Sequence, residues 1–153
     1  MAGFTEVLRR QGRHPGARVR AVRRVASPPA PLRGPAWRVQ RVRTGDGVPL
    51  ALEDSWIPAA RTPGLDGHDL GGSLYALLRE AYGLVPARAT EALEAVAATP
   101  GEARLLRVAP GTPLMAVERV ARTADGAVVE VARDRFRDAR FSVEVGAEVL
   151  ADG

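Results

Sequence analysis

The sequence contains no cysteine and no lysine, and its only two histidines are His14 and His68. Without cysteine the chain cannot form a disulfide, use a thiol nucleophile or bind a metal through thiolates. The two histidines are far apart in the sequence, so a histidine-based metal site is not expected. The sequence also lacks a Ser-His-Asp set, a P-loop and a dinucleotide-binding fingerprint. We therefore expect no metal and no other cofactor.

Long apolar runs and aromatic residues are also scarce. No run approaches the roughly 18 apolar residues of a membrane span, and no N-terminal stretch resembles a signal peptide. Aromatic residues make up 5% of the chain, and none lies among the early arginines, which argues against a stacking platform for single-stranded nucleic acid. The 153 residues, 46% hydrophobic and 26% charged, indicate one soluble globular domain, which we expect in the cytoplasm.

The basic residues are unevenly distributed, and all 22 of them are arginine. Residues 1–43 have a formal charge of +10, whereas residues 44–153 have a charge of −6. A basic N-terminal segment could contact nucleic acid or lie beside a nucleic-acid-binding partner. A solvated, arginine-rich strand face is an equally good interpretation.

Hydrophobic periodicity predicts an α+β domain with six or seven strands and two to three helices. Residues 1–16 are expected to be a linker with one helical turn at 4–10. Strands are expected at 17–26, 37–44, 48–57, 86–97, 113–123, 127–137 and 140–145. Helices are expected at 73–82 and from a capping box at Thr99 to about Arg107. Since hairpins rather than crossover helices join the strands, a mostly antiparallel sheet is predicted.

Arg41 and Arg43 are the first candidate ligand-binding residues. Two residues apart on a strand, their side chains leave the same face about 6.6 Å apart, where two guanidinium groups can hold a carboxylate or a phosphate. A three-residue turn would pair Arg41 with Ala51 and place Glu53 on this face. A two-residue turn at Asp46–Gly47 would instead send Glu53 to the opposite face.

Two further features favour a polar cavity. The three-residue rule applied to the second hairpin places Glu130 opposite Val120, so each hairpin has a glutamate in mid-strand. The predicted helix start at Gly71-Gly72-Ser73 offers backbone N–H groups and a hydroxyl to a ligand, although Ser73 could simply cap the helix. We predict a site for a small polar or anionic molecule. The arginines and the helix start would hold its negative group, and the glutamates would accept from hydroxyls or amines.

The order and spacing of these residues resemble a known family. The matching motifs are Arg41-Val-Arg43, Val48-Pro-Leu-x-Leu-Glu53, Ser73-Leu74-Tyr75, Gly111-x-Pro113-Leu114, Arg119 and Asp125-Gly126-x3-Glu130. They resemble the UTRA domain, the effector-binding half of HutC-type GntR-family transcription regulators. The expected domain covers residues 17–147, and residues 148–153 are expected to be a C-terminal tail.

The resemblance implies a chorismate-lyase-like fold, a homodimer, and operator binding through a separate winged-helix domain that this sequence lacks. No membrane contact is implied. The implied effector is a sugar phosphate, an amino-acid derivative or another small polar acid. The implied effector pocket contains Arg41, Arg43, Glu53, Ser73, Leu74, Tyr75, Glu130 and Phe136. Phe136 lies where many family members have a tyrosine.

Two alternatives compete with a sensor that is not an enzyme. A chorismate-lyase-type enzyme on the same scaffold would use the arginines to hold carboxylates, and turnover of chorismate would identify it. A small basic nucleic-acid binder would use the arginine-rich N-terminal segment, and salt-dependent DNA affinity would identify it.

Overall fold

The computed structural model describes residues 4–138, apart from the side chain of Glu6. These residues form α1 (Phe4–Arg10), β1 (Pro15–Val25), β2 (Ala36–Gly45), β3 (Val48–Pro58), α2 (Leu74–Tyr82), β4 (Arg88–Ala97), α3 (Pro100–Leu106), β5 (Pro113–Arg122) and β6 (Val128–Phe136). Short 3-10 turns at Ala59–Arg61 and Leu65–Gly67 connect β3 to α2. The predicted α+β class is confirmed, and the strand predicted at 140–145 lies outside the described residues. The domain boundaries at residues 16 and 147 stay predictions.

One antiparallel sheet with strand order β1-β2-β3-β6-β5-β4 organises the fold. The hairpins β2–β3 and β5–β6 meet at its centre, where β3 pairs with β6 and Ser55 lies opposite Ala132. Strands β1 and β4 form the two edges. Polar residues near the middle of both hairpins therefore lie close together, although they are far apart in the sequence.

The turn of the first hairpin is shorter than the three residues that were expected. Gly45 lies opposite Val48, so Asp46 and Gly47 alone form the turn. Both have positive φ, 51° and 78°, as a two-residue type I′ turn requires.

A β-bulge between Arg43 and Thr44 then changes the register of the hairpin. One extra residue on β3 makes Arg43 pair with Ala51 and Arg41 pair with Glu53. The predicted pairing of Arg41 with Ala51 is therefore wrong. Glu53 still lies on the arginine face, because the bulge reverses the change of face that a two-residue turn alone would cause.

The second hairpin also contains a bulge, next to Ala121. As a result Glu130 lies opposite Ala121 rather than opposite Val120, and the predicted register is wrong here too. The alternation of side chains along β6 places Glu130 and Asp134 on the same face as Ala132, the partner of Ser55 on β3. This is the face that carries Glu53, two residues from Ser55.

Helices cover part of each face of the sheet. On the face of Glu53, Leu74 and Leu78 of α2 are buried in a core that includes Val39. On the other face, Leu106 of α3 packs near Leu52. Each buried leucine contributes about 1.5–3 kcal/mol to the free energy of unfolding. No helix within residues 4–138 is long and apolar enough to cross a membrane.

Local signals set the helix ends as the sequence predicts. Ser73 caps α2 by accepting a hydrogen bond from the Ala76 N–H at 3.3 Å, and Gly83 with φ 65° ends the helix. Thr99 and Glu102 form the predicted capping box of α3, with reciprocal bonds of 2.9 and 3.2 Å. Capping thus fixes where α2 and α3 begin.

Candidate ligand-binding site

A polar cavity lies between the α2-covered face of the sheet, the start of α2 and α1, with a volume of about 80 Å³. It is lined by Phe4, Thr5, Arg41, Arg43, Glu53, Ser73, Leu74, Tyr75, Glu91, Arg119, Glu130, Asp134 and Phe136. All the candidate residues from the sequence are in this set, so the structure brings them together. Their role in binding a ligand stays a prediction.

Arg41 connects the sheet to the start of α2. Its Nη2 donates to Glu53 Oε2 at 2.6 Å. Its Nη1 donates to the carbonyl oxygens of Leu70 at 3.0 Å and Gly72 at 2.9 Å. The arginine is buried, so these contacts fix the segment that leads into the helix.

Arg43 connects the same carboxylate to α1. Its Nη1 lies 3.0 and 3.2 Å from the two oxygens of Glu53, and its Nη2 donates to Thr5 Oγ1 at 2.8 Å. The Phe4 ring lies over the guanidinium, 4.6 Å from Cζ, which is a cation–π contact. The two arginines and Glu53 thus link α1, the sheet and α2.

This ion-pair network keeps Glu53 ionised. Burial acts to raise the pKa of Glu53, but Arg41 and Arg43 offset it and hold that pKa below its ordinary value. Burial lowers the pKa of Arg43, although Glu53 acts in the opposite direction. The sequence analysis expected the arginine pair to hold an anionic ligand. In the structure Glu53 already occupies that position.

Glu130 is the centre of a second polar cluster. Its Oε1 accepts from Ser55 Oγ at 2.7 Å, and its Oε2 accepts from the Tyr75 hydroxyl at 2.6 Å. Burial and the charge of Glu130 raise the pKa of Tyr75. The tyrosine therefore stays protonated and acts as a hydrogen-bond donor inside the cavity.

Arg119 of β5 faces three carboxylates. Its Nε donates to Glu91 Oε1 at 2.6 Å, and its Nη1 lies 3.5 Å from Asp134 Oδ2 and 4.0 Å from Glu130 Oε2. Burial acts to lower the pKa of Arg119, but the negative charges nearby, Glu130 first among them, raise it above its ordinary value. Arg119 is therefore a permanent cation on the β5 side of the cavity.

Asp134 is the least satisfied acid of the cavity. It is 1% exposed, and its Oδ1 has no hydrogen-bond partner among the described residues. Burial and the negative charges of Glu53 and Glu130 raise the pKa of Asp134 well above its ordinary value, while Arg119 and the Asp54 N–H act against this.

Sequence reasoning missed some of the lining residues. Those not predicted as site residues are Phe4, Thr5, Glu91, Arg119 and Asp134. Asp134 gave a usable signal, because it follows Glu130 by four residues on a strand and so lies on the same face. Phe4 and Thr5 gave none, because they belong to the predicted linker. Within residues 4–138, no group of three or more metal-ligating side chains could hold a metal ion.

A comparison against protein families identifies the type of domain. The UTRA domain model matches residues 10–142. The chain belongs to the UTRA domain family. The resemblance in the sequence to the effector-binding part of GntR-type regulators is thereby confirmed.

Individual UTRA relatives point the same way. The chain is 29% identical over 150 residues to the transcriptional repressor NagR of Bacillus subtilis, covering 93% of this chain and 61% of NagR. It is 33% identical over 109 residues to the repressor PhnF of Mycolicibacterium smegmatis, covering 71% of this chain and 44% of PhnF. It therefore spans less than two thirds of these curated relatives.

A solved structure supports both the fold and the domain type. The crystal structure of the PhnF effector domain from Mycobacterium smegmatis matches with a TM-score of 0.84 and 28% identity, covering 96% of this chain and 95% of that one. The chain is thus similar over its whole fold to an effector domain.

Proposed function

We propose that the polar cavity binds a small polar metabolite and that this binding controls a winged-helix DNA-binding domain of a GntR/HutC-type transcription regulator. The observation that carries the proposal is the position of the cavity. The ion-pair network around Glu53 joins its floor to α1 through Thr5 and to the start of α2 through Gly72. A ligand that changes this network changes two helices at once.

The size of the cavity supports a mechanism in which α1 moves. Its volume is about 80 Å³, whereas an engineered cavity of about 150 Å³ in another protein holds benzene. A metabolite as large as benzene or larger therefore requires Phe4 and Thr5 of α1 to give way. The family resemblance implies that the winged helix precedes α1 in such regulators. Ligand binding in the cavity is coupled to DNA binding only if the ligand has different affinities for the two positions of α1, before and after it moves.

We also propose that the regulator is a cytoplasmic homodimer. The proposal is supported by β4, an edge strand that pairs on one side with β5 and leaves its other edge uncovered within residues 4–138. Its Leu93 is 46% exposed. A long exposed edge strand is a surface on which a second chain can pair.

We propose no enzymatic activity for the cavity. A chorismate-lyase-type enzyme would need the arginines to hold substrate carboxylates, and Arg41 and Arg43 already share Glu53. The relatives NagR and PhnF are named transcriptional repressors. Absence of chorismate turnover together with metabolite binding is the expected result.

A thermal-shift screen of phosphorylated sugars, amino acids and aromatic acids tests the proposed function. A ligand present at 100 times its Kd should raise the free energy of unfolding by about 2.7 kcal/mol and so raise Tm. The shift should fall strongly in Glu130→Gln, which removes the carboxylate that accepts from Ser55 and Tyr75.

The matched control is Glu118→Gln, an exposed glutamate of β5, which should keep the full shift. A shift that is equally large in the Glu130 variant would place the ligand outside the cavity. The absence of any shift across the three compound classes would count against a metabolite sensor.

A further inference from the structure

We propose that the effector carries a protonated amino group, which binds the unpartnered carboxylate oxygen of Asp134 inside the cavity. The proposal rests on the proposed function, because it names the chemical class of the molecule that the cavity binds.

The first observation is the unmet hydrogen-bonding capacity of Asp134. Among the buried side-chain nitrogen and oxygen atoms within residues 4–138, its Oδ1 is the one that lacks a hydrogen-bond partner. The residue is 1% exposed and lines the cavity. A buried acceptor without a donor costs folding free energy, so a ligand donor placed there recovers that cost on binding.

The second observation is the distribution of charge in the cavity. The two arginines of β2 share one carboxylate, Glu53. On the β5 side of the cavity, Arg119 lies within 4.0 Å of three carboxylates, those of Glu91, Glu130 and Asp134. The part of the cavity around Asp134 therefore has more carboxyl groups than guanidinium groups, and a cationic group from a ligand would help to balance them.

An ammonium group fits this wall better than the other candidate donors. It brings a positive charge and up to three N–H donors, whereas a hydroxyl brings one donor and no charge. A metal ion would need several converging ligands, and the described residues contain no group that could hold one.

The proposal predicts a specific pH dependence of ligand binding, which comes from the proton on Asp134. Burial first, and then the charges of Glu53 and Glu130, raise the pKa of Asp134, so in the free cavity its carboxyl holds a proton to a higher pH than an ordinary aspartate. An ammonium group favours the ionised carboxylate. The Asp134 proton then leaves to solvent as the ligand binds, and binding tightens as pH rises through that pKa.

Glu53, Tyr75 and the arginines near Asp134 do not produce the same pH dependence. The charged and titratable side chains that face Asp134 across the cavity are Arg41, Arg43, Glu53, Tyr75, Glu91, Arg119 and Glu130. Glu53 is held ionised and Tyr75 is held protonated, and the arginines stay charged between about pH 5 and 8.

Ethanolamine and ethylene glycol are the matched probes. Each has four heavy atoms, which suits the open volume of about 80 Å³, and they differ in one amino group. In ligand-observed NMR titrations of the whole chain, ethanolamine should bind with a Kd on the order of millimolar. Ethylene glycol should bind at least tenfold more weakly.

The Asp134→Asn variant should lose at least tenfold in ethanolamine affinity. The control is Asp66→Asn, an exposed acid of the 3-10 turn Leu65–Gly67, which should bind ethanolamine as the original chain does. The original chain itself provides a test that needs no variant. Its ethanolamine affinity should rise between pH 5 and 8, and calorimetry in buffers of different ionisation enthalpy should detect released protons.

Equal binding of the two probes, undiminished ethanolamine affinity in Asp134→Asn, or no ethanolamine binding would each overturn the proposal. The metabolite screen separates this failure from failure of the proposed function. If an amine-free metabolite raises Tm and Glu130→Gln abolishes that shift, the proposed sensor function stands and the proposed amino group is wrong. No binding in either experiment would contradict both the amino-group proposal and the proposed function.

Discussion

Two buried acids on neighbouring strands have opposite electrostatic environments. The Glu53 side chain is 10% exposed and lies 2.6 Å from one guanidinium and 3.0 Å from another. Asp134 is more deeply buried, and its nearest cation, Arg119, lies 3.5 Å away and also contacts Glu91. Glu53 therefore stabilises the fold as an anion, whereas an ionised Asp134 destabilises it.

The Glu53→Gln substitution should destabilise the chain by about 3 kcal/mol at neutral pH. It leaves Arg41 and Arg43 buried without their counter-charge, which is the costly way to break a buried ion pair. Because the pKa of Glu53 is lowered on folding, its contribution is present above the unfolded pKa and is lost as pH falls through the folded pKa. Urea unfolding between pH 3 and 7 should show the largest loss at pH 7.

Asp134→Asn should change stability with pH in the direction opposite to Glu53→Gln. The pKa of Asp134 is raised on folding, so the original chain loses stability as pH rises from the unfolded pKa towards the folded one. The asparagine variant lacks this loss, and its stability relative to the original chain should rise over the same pH range. Variants that respond to pH in the same direction would contradict the assigned environments.

Much of the site at this scale is predictable from local rules. Arg41 and Arg43 share a strand face, and Ser73 occupies a helix cap, which are properties of nearby residues in the sequence. The neutralisation of the arginine pair by Glu53 depends on the register of the hairpin. The position of Asp134 beside Glu53 depends on the pairing of β3 with β6, which no local pattern encodes.

At the scale of elements, α1 is the segment that connects the cavity to the N-terminal side of the chain. Thr5 contacts Arg43 through a hydrogen bond. Phe4 contacts the same guanidinium and lies 6.2 Å from the Phe136 ring, centroid to centroid. The helix has seven residues, too few to be stable alone in water. Its order therefore depends on contacts with the rest of the domain, which include these two and the burial of Leu8.

Phe4→Ala should loosen α1 without disturbing the rest of the fold. A cation–π contact at a partly exposed site is worth about 1 kcal/mol, so the amides of α1 should exchange with solvent about fivefold faster. Hydrogen exchange measured by NMR would detect this, and the amides of α2 should be unchanged.

Val7→Ala, at a position 44% exposed on the same helix, is the matched control and should have a smaller effect. If both variants accelerate exchange equally, the Phe4 contact with Arg43 does not hold α1. If ligand binding leaves α1 exchange unchanged in the original chain, the helix does not report on the cavity.

The β2–β3 hairpin shows which features of an element can be predicted from the sequence and which cannot. The Asp46–Gly47 turn and the alternation of β2 and β3 are local signals, and both strands form as expected. The bulge that sets the register has one local signal, Pro49, which lacks an N–H group and lies beside the extra residue on β3. Without the bulge, Glu53 would face α3 instead of the arginines.

At the scale of the whole molecule, charge is concentrated on one edge of the sheet. Strand β1 is an edge strand, and its exposed arginines are Arg18, Arg20, Arg23 and Arg24. None of these side chains forms an ion pair within the described residues, whereas Arg38 of β2 is paired with Asp54 at 2.5 Å. The acids of the chain therefore neutralise the interior of the sheet and leave this edge positive.

We expect this edge to attract the phosphate backbone of duplex DNA. Changing Arg18, Arg20 and Arg24 to glutamine should weaken binding of the chain to a random-sequence duplex. It should also reduce the slope of log affinity against log salt by up to about 2.7, since each phosphate contact contributes about 0.9. Fluorescence anisotropy across a salt series measures both quantities.

The matched control changes three exposed arginines away from this edge, Arg61, Arg104 and Arg107, to glutamine. It alters the net charge by the same amount, so an effect of total charge alone would reduce affinity and slope equally in both triple variants. Only a larger reduction in the β1 variant would show that this edge contacts DNA. That result would show that β1 attracts DNA through non-specific, salt-dependent contacts with phosphates, which carry no sequence information themselves.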